Sequence, residues 1–217
     1  MTIALDIRFR VASGASVASQ NLAVQLIALA PPGLKFVVIR YRDQELVPEL
    51  DALDAIYVPK MMSPLELIWN ELKLPGLLKQ NGIELYHGMK QCAPVWLKCP
   101  TVHTVDAIKQ GSAKDLPLPL ATRLYLKWHV CRAYKRSQHL LPVSGFVGAF
   151  LQDGLGIEPE RITVVHNGVG DAFLNSGESK DQTVSGQAQN PLGVDAPYIV
   201  SVGSVTPIKN QLATVEA

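Results

Sequence analysis

Short apolar runs alternate along this chain with longer stretches in which apolar residues recur at helical spacing. The apolar runs predict strands at 3–9, 35–41, 55–58, 83–87 and 100–104. The helical spacing predicts helices at 17–30, 64–80 and 120–136, the second of them interrupted by Pro75. Strands that alternate with helices form parallel sheets covered on both faces. The pattern therefore predicts an α/β fold with a doubly wound, mostly parallel sheet of about seven strands.

One βαβ unit carries the clearest local pattern. A short apolar strand leads to Ser144, a residue type that caps helices, and apolar residues then recur at helical spacing until Gly156. A second strand of the buried type follows at 162–165 and opens into Asn167 and Gly168. Ligands of open parallel sheets bind at the carboxyl ends of the strands. The unit therefore predicts a binding loop at its end.

Four short segments of this unit form an ordered set: Ser144, Leu155-Gly156-Ile157, Asn167-Gly168-Val169 and Asp171-Ala172-Phe173. The set resembles the signature of the retaining, nucleotide-sugar-dependent glycosyltransferases of family 4 (group 1). The resemblance implies the GT-B fold of that family, in which two Rossmann-like domains face each other across a cleft. It also implies transfer of a sugar from a nucleotide-sugar donor to an acceptor hydroxyl, with retention of configuration.

The resemblance also divides the chain. Residues 1–173 would form the N-terminal Rossmann-like domain on the acceptor side of the cleft. Residues 174–196 are rich in Ser, Gly, Gln and Asn, which predicts a flexible linker. Residues 197–217 would be the truncated start of the C-terminal donor-binding domain, so that the chain would hold only half of the enzyme and lack its partner domain. The strand expected at 198–203 would then offer an unpaired edge, which leaves self-association open.

A second match to the family lies near the end of the chain. Gly203, Pro207, Lys209 and Asn210 resemble the start of the donor-binding domain. The resemblance assigns Gly203 and Lys209 to the donor diphosphate, a leaving group whose charge is stabilised by cations. Ser204 stands where the family usually has Arg, so the chain lacks a bidentate cation at that position.

The remaining site assignments also follow from the resemblance. His103 is assigned to the donor sugar as the catalytic residue, because it lies near the carboxyl end of its predicted strand; a satisfied core histidine is the alternative. The assigned substrate-binding residues are Gly14, Ser16, Gly88, Lys90, Asp106, Asn167 and Gly168. Asp106 would replace the Asp that usually follows the family's His. For Gly14 a tight turn without a ligand stays open, and for Lys90 a solvated loop.

Composition and charge narrow the function further. A net charge of +1 predicts no nucleic-acid partner. The loop after the first strand fails to match G-x-G-x-x-G, which argues against a nicotinamide-dependent oxidoreductase. The three cysteines match no metal or disulfide pattern, so we expect reduced thiols, a cytoplasmic location and no metal or other cofactor. No apolar run reaches the ~18 residues of a membrane span.

The helix predicted at 120–136 carries five basic residues: Arg123, Lys127, Arg132, Lys135 and Arg136. Stepped at about 100° per residue, the five do not gather on one face of the helix. The sequence therefore predicts solvated charges around a packed Leu124-Trp128-Cys131 face rather than a membrane-binding stripe. Peripheral membrane contact stays open as a partner assignment, and the expected acceptor is a glycan or a lipid-linked molecule.

Two other functions fit the same residues. One is a catalytically inactive isolated or split half-domain, which would show neither turnover nor nucleotide binding. The other is a nucleotide-sugar epimerase of the GT-B type, which would isomerise its donor without any acceptor.

Overall fold

The computed structural model describes residues 1–10, 13–61, 63–89, 94–106, 126–169 and 211–216. Its described part contains a six-stranded sheet in the order β3-β2-β1-β4-β5-β6, in which every neighbouring pair is parallel. The strands are β1 (Thr2–Asp6), β2 (Lys35–Tyr41), β3 (Ala55–Val58), β4 (Leu85–Gly88), β5 (Thr101–Val105) and β6 (His139–Pro142). The predicted α/β fold with a doubly wound parallel sheet is confirmed.

The described helices are α1 (Gly14–Ala28), α2 (Pro48–Asp51), α3 (Ser63–Leu72), α4 (Leu74–Gln80), α5 (Cys131–Arg136), α6 (Gly145–Ala149) and α7 (Gln211–Glu216). Wider π-type turns extend two of them, since Leu126–Val130 precedes α5 and Phe150–Gly154 follows α6.

Local chemistry sets several of the helix boundaries. Pro75 lies in the first turn of α4, where its missing N–H breaks no helical hydrogen bond, and the predicted interruption is confirmed. The Ser144 hydroxyl caps α6 by accepting a hydrogen bond from the Val147 N–H at 3.3 Å. Gly156 has a φ of +67° after the helix, a conformation that residues with a Cβ rarely adopt.

Alternate residues of the central strands pack against helices on the two faces of the sheet. On one face, Leu5 belongs to a buried cluster that includes Ala23 of α1. On the other face, Ala4 belongs to a second buried cluster that includes Leu74 of α4. A third cluster joins β5 and β6 to α5 and α6. The helices therefore leave the ends of the strands as the places where a ligand reaches the sheet.

Residues 162–165 lie beside β6 but are not the buried strand that the sequence predicts. Ile162 forms one parallel bridge with Leu140, and the Val165 N–H donates to the Pro142 carbonyl at 2.9 Å. Val164 and Val165 are nevertheless about two-fifths exposed, at 41% and 40%. The segment is exposed because it has β6 on one side and no further described strand on the other.

The chain divides into two compact units, 1–168 and 169–217. In the second unit the structure describes Val169 and α7. The predicted linker at 174–196 and the predicted strand at 198–203 lie outside the described residues, as do Lys90, Gly203 and Lys209. Among the helices that the structure describes, none combines the length and apolar character that crossing a membrane requires.

Candidate functional site

The direction of chain travel in the sheet reverses between β1 and β4. From β1 the chain moves outward to β2 and β3, and it then returns to the other side of β1 to form β4. The segments that follow two such neighbouring strands lead to opposite faces of the sheet. They leave a crevice between them at the carboxyl ends of the two strands, where ligands of open α/β sheets bind. Asp6 ends β1 and is paired in register with Gly88, which ends β4. The candidate site therefore begins at these two residues.

A buried ion pair lies directly at this point. Arg8 donates to both carboxylate oxygens of Asp6, from Nε at 2.7 Å and from Nη2 at 2.5 Å, and both side chains have no exposed surface. The Tyr86 hydroxyl donates a further hydrogen bond to Asp6. Burial acts to lower the pKa of Arg8, but the charge and hydrogen bonds of Asp6 outweigh it and raise that pKa above its ordinary value. Arg8 therefore carries its positive charge at any pH at which the protein is folded.

A second carboxylate extends this network to α3. Glu66 accepts a hydrogen bond from the Tyr41 hydroxyl at 2.6 Å and forms an ion pair with Arg10. Arg8 also donates to the side-chain oxygen of Asn70 at 2.8 Å. Burial, followed by the hydrogen bond and charge of Glu66, raises the pKa of Tyr41. The network ties the segment after β1 to α3 and so fixes the backbone beside the crevice.

This network is absent from the sequence-based assignments. The signal in the sequence is the alternation of charged residues in Asp6-Ile7-Arg8-Phe9-Arg10, at the end of a strand that is otherwise buried. Charges on a buried strand need partners, because an isolated charge is strongly disfavoured inside a protein. The pattern thus pointed to a network, although it did not identify the residues of α3 that complete it.

His103 is buried in the sheet, beside Gly88 at the end of β4. It is the middle residue of β5, only 1% exposed, and its ring lies between those of Tyr86 and Tyr134 at centroid distances of 6.1 and 5.8 Å. The ring has almost no exposed surface in this structure, and its predicted contact with a sugar stays a prediction. Two further residues separate His103 from the carboxyl end of β5, whereas its register partner Gly88 is the last residue of β4.

The hydrogen bonds of His103 define its protonation. The Ser137 hydroxyl donates to the Ala133 carbonyl at 2.9 Å, so its oxygen accepts from the Nδ1–H of His103 at 2.7 Å. The other ring nitrogen, Nε2, is buried and has no hydrogen-bond partner among the described residues. Burial, followed by the charge of nearby His87, lowers the pKa of His103 to about 3. The ring is therefore neutral at physiological pH.

Gly88 has a structural reason to be glycine. A Cβ at this position would lie 2.5 Å from Cδ2 and 2.8 Å from Nε2 of His103, far inside van der Waals contact. The residue is also buried, so its predicted role in substrate binding finds no exposed surface. Gly88 instead makes room for the histidine ring of the neighbouring strand.

The start of α1 uses its serines to cap the helix. The Ser16 hydroxyl donates to the Ser13 carbonyl at 2.8 Å and accepts from the Ser13 N–H at 2.8 Å, while Ser16 itself is buried. The Ser16 hydroxyl is therefore engaged in the cap, and its predicted contact with a substrate stays a prediction. Gly14 is exposed, and a Cβ there would meet nothing within 4 Å. The first turn contains no acidic side chain to oppose the positive end of the helix dipole.

Three of the predicted residues remain accessible at the carboxyl edge. Asp106 directly follows β5 and is half-buried, so it is Asp106 rather than His103 that lies at the end of this strand. Asn167 and Gly168 are exposed beyond the segment beside β6, and His166 contacts the Val143 carbonyl through Nδ1 at 3.2 Å. This edge therefore offers one carboxylate, one amide and the exposed loop at Gly168, a set suited to hydroxyl recognition.

In the described part of the chain, no three His, Cys, Asp or Glu side chains come close enough together to hold a metal ion. Cys99 is a half-buried free thiol, and burial raises its pKa; Cys131 is also half-buried.

Solved structures with similar folds cover most of this chain. A glycosyltransferase from Rickettsia africae matches 82% of the chain with 45% of its own length, at 18% identity and a TM-score of 0.53. Anabaena HepE in complex with UDP and glucose matches 80% of the chain with 46% of its own, at 14% identity and a TM-score of 0.54. The UDP-GlcNAc 2-epimerase of Methanocaldococcus jannaschii matches 77% with 46% of its own, at 13% identity and a TM-score of 0.51.

The chain thus spans about half the length of these structures, which at such identities are similar to it in fold alone. No curated protein sequence matches it. The sequence model of Glycosyltransferase Family 4, however, matches residues 12–173, well over half of the chain. This match contains β4, which forms one side of the crevice, together with Asp106 and the loop at Asn167, and it shows that the chain belongs to glycosyltransferase family 4.

Proposed function

We propose that this protein transfers a sugar from a nucleotide-sugar donor to an acceptor hydroxyl with retention of configuration, and that residues 1–168 form the acceptor-side wall of its cleft. The observation that carries the proposal is the family match over residues 12–173. Anabaena HepE, which is similar in fold, has been solved with UDP and glucose bound, and this supports a nucleotide-sugar donor. The crevice at the β1/β4 switch point supports a ligand at the carboxyl edge of the sheet.

The acceptor contacts that we propose are the accessible polar groups of this edge. The Asp106 carboxylate accepts a hydrogen bond from an acceptor hydroxyl and so orients its oxygen toward the donor sugar. Asn167 and the backbone at Gly168 and Gly14 bind further hydroxyls of acceptor or donor. The proposal does not use His103 as a sugar contact, because its ring is 1% exposed and lies between two tyrosines.

Donor activation in this proposal rests on the end of the chain. The departing nucleoside diphosphate develops negative charge, which cations and backbone N–H groups stabilise. By their match to the family pattern, Lys209 supplies the cation and Gly203 permits close approach of the backbone. Ser204 offers no charge, so binding of the diphosphate depends on Lys209 more strongly than it would beside an arginine.

The first experiment measures acceptor binding, since the chain corresponds to about half of each similar structure. We expect saturation transfer from the 217-residue protein to members of an oligosaccharide panel in NMR. Asp106→Asn should weaken that binding about tenfold, the effect of losing one charge-assisted hydrogen bond. The matched control is Asp54→Asn, an exposed carboxylate directly before β3 at the opposite edge, which should leave binding unchanged.

The second experiment measures release of nucleoside diphosphate from a panel of nucleotide sugars with and without acceptor. Acceptor-dependent release, with the anomeric configuration of the product retained, supports the transferase. Isomerisation of the donor without acceptor would assign the protein to the epimerase class, which the fold of the Methanocaldococcus enzyme brings into consideration. Absence of both acceptor binding and nucleotide turnover would identify an inactive half-domain and contradict the proposal for this chain.

A further inference from the structure

Two exposed tryptophans and two arginines form one surface cluster, here named the tryptophan–arginine patch. Trp96 and Trp128 are 52% and 59% exposed, unusually high values for the most hydrophobic aromatic side chain. The guanidinium carbon of Arg132 lies 5.0 Å from the ring centroid of Trp96 and 5.3 Å from that of Trp128. Arg136 lies 5.1 Å from the ring centroid of Trp96. Cation–π contacts thus join the four side chains into a continuous surface.

This arrangement differs from the helix face predicted from the sequence. Trp128 does not pack inward, and Arg132 and Arg136 follow it at intervals of four residues, so the three share one side of the helix. When all five basic residues are compared at once, the two arginines that share a side with Trp128 are obscured. Trp96, which completes the patch, comes from the loop before β5 and so is invisible to any periodicity within the helix.

A single carboxylate holds the two halves of the patch together. Glu71 of α3 accepts a hydrogen bond from the backbone N–H of Val95, next to Trp96, at 2.9 Å. Its Oε1 also lies 3.1 Å from Nε2 of His129, next to Trp128. Both tryptophans are therefore positioned by the folded core, although their own side chains lie in solvent. An exposed position that the structure holds in place in this way is suited to a binding surface.

The patch lies away from the candidate site. The helical segment 126–136 connects parallel strands β5 and β6, so it runs back from the carboxyl edge of the sheet toward the amino edge. Arg136, whose guanidinium lies over the ring of Trp96, is at the end of this segment that leads to the start of β6. The crevice and Asp106 lie at the opposite edge, so the patch lies away from the groups proposed to bind substrate.

The charge of the segment has one sign only. Residues 126–138 contain Lys127, Arg132, Lys135 and Arg136 and no acidic residue. Tryptophan favours the boundary between water and hydrocarbon, where its ring is partly buried and its N–H remains hydrated. Arginine beside it places positive charge at the level of lipid phosphates, with its stem along the apolar surface. We propose that the tryptophan–arginine patch docks the protein on the surface of a bilayer that contains anionic lipids.

Carbohydrate stacking is the other use of exposed tryptophans, and the geometry disfavours it here. A sugar stacks on a free aromatic face, whereas two guanidinium groups already lie over the ring of Trp96. Sugar hydroxyls donate as well as accept hydrogen bonds, and the two arginines and two tryptophans of the patch supply donors but no acceptor. Lipid phosphates match those cations without displacing them from the rings.

The test is co-sedimentation of the 217-residue protein with vesicles of phosphatidylcholine alone or mixed with phosphatidylglycerol. We expect binding to the mixed vesicles, weak binding to the neutral ones, and a decrease as salt is added. Each removed arginine should weaken binding about fivefold, so that Arg132→Gln with Arg136→Gln gives a loss of about 25-fold. Trp128→Ala should weaken binding to both kinds of vesicle, because the aromatic contribution does not depend on lipid charge.

The matched control is an exposed arginine–aromatic pair elsewhere, Arg42 over Tyr57 at 5.1 Å, changed by Arg42→Gln with Tyr57→Ala. This control should bind mixed vesicles as the unchanged protein does. Circular dichroism checks that each variant folds. If the double variant does not fold, Arg136→Gln alone, at an exposed position, should weaken binding about fivefold. No binding by the unchanged protein, equal binding by the patch variants, or equal loss in the control would overturn the proposal. Tryptophan-dependent retention on immobilised glycans without vesicle binding would overturn it in favour of carbohydrate.

Discussion

The close approach of Gly88 and His103 gives the sharpest stability prediction. In Gly88→Ala, the new Cβ would meet the His103 ring at 2.5 and 2.8 Å and Tyr86 at 3.1 Å, where ordinary contacts lie beyond 3.4 Å. The ring has to move by about 1 Å, yet it is held between two tyrosines and by its hydrogen bond to Ser137. Such overpacking costs about 1–3 kcal/mol, and we expect Gly88→Ala to lower the free energy of unfolding by that amount.

The assay is urea-induced unfolding followed by circular dichroism, arranged as a double-mutant cycle with His103→Ala. Removing the ring has its own cost from the cavity that it leaves, but it also removes the atoms with which the new methyl group collides. The effect of Gly88→Ala should therefore fall close to zero in the His103→Ala background, a coupling of about 1–3 kcal/mol. Gly76→Ala is the matched control, because its Cβ meets nothing within 4 Å in helix α4, and it should be neutral or stabilising. An equal effect of Gly88→Ala in both backgrounds would refute the steric explanation.

Three further outcomes follow from buried polar groups and caps. Burial is the main reason that the pKa values of His87 and His103 are lowered to about 4 and 3. Between pH 6.5 and 4 the unfolded chain therefore binds more protons than the folded one, and the free energy of unfolding should decrease as the pH falls. We expect its full value above pH 6.5 and a loss of about 2 kcal/mol per histidine by pH 5, measured from the urea midpoint. Arg8→Met leaves the buried Asp6 carboxylate without its cation and should cost about 3–5 kcal/mol, measured by thermal unfolding. Ser144→Ala removes the cap of α6 and should cost about 1 kcal/mol in urea.

Two control substitutions separate these effects from general effects of mutation. Lys60 forms an exposed ion pair with Asp43, and Lys60→Ala should change stability by less than ~1 kcal/mol, in contrast to Arg8→Met. Ser144→Asp retains a capping side chain and should restore most of the stability that Ser144→Ala loses. Stability that stays constant from pH 7 to pH 5 would contradict the burial of two neutral histidines.

Features determined by a few neighbouring residues were predictable from the sequence. Pro75 interrupts the long helix, Ser144 caps α6 and Gly156 ends the following turn, because each effect arises from the backbone chemistry of one residue. Alternation of strands and helices was enough to give the parallel sheet, since few connections satisfy that order.

Features that depend on distant partners were not predictable in the same way. The Asp6–Arg8 network is completed by Glu66 and Asn70, some sixty residues further along the chain. The depth of His103 follows from where β5 begins and ends, and an error of one or two residues moves a side chain from the strand end to the core. The sequence therefore predicts a site at the carboxyl edge of the sheet, and the structure adds how deeply each of the described candidate side chains is buried there.

The exposure of the patch determines what tryptophan fluorescence can report about this protein. The chain has three tryptophans, and Trp96 and Trp128 already lie more than half in water, while Trp69 is partly buried against the core. Indole emission therefore shifts little when the sheet melts, because most of the signal comes from rings whose surroundings are aqueous before and after. The emission of the same two rings would shift to shorter wavelength if they entered an apolar phase. Tryptophan fluorescence should therefore report unfolding of this protein poorly and binding at the patch well.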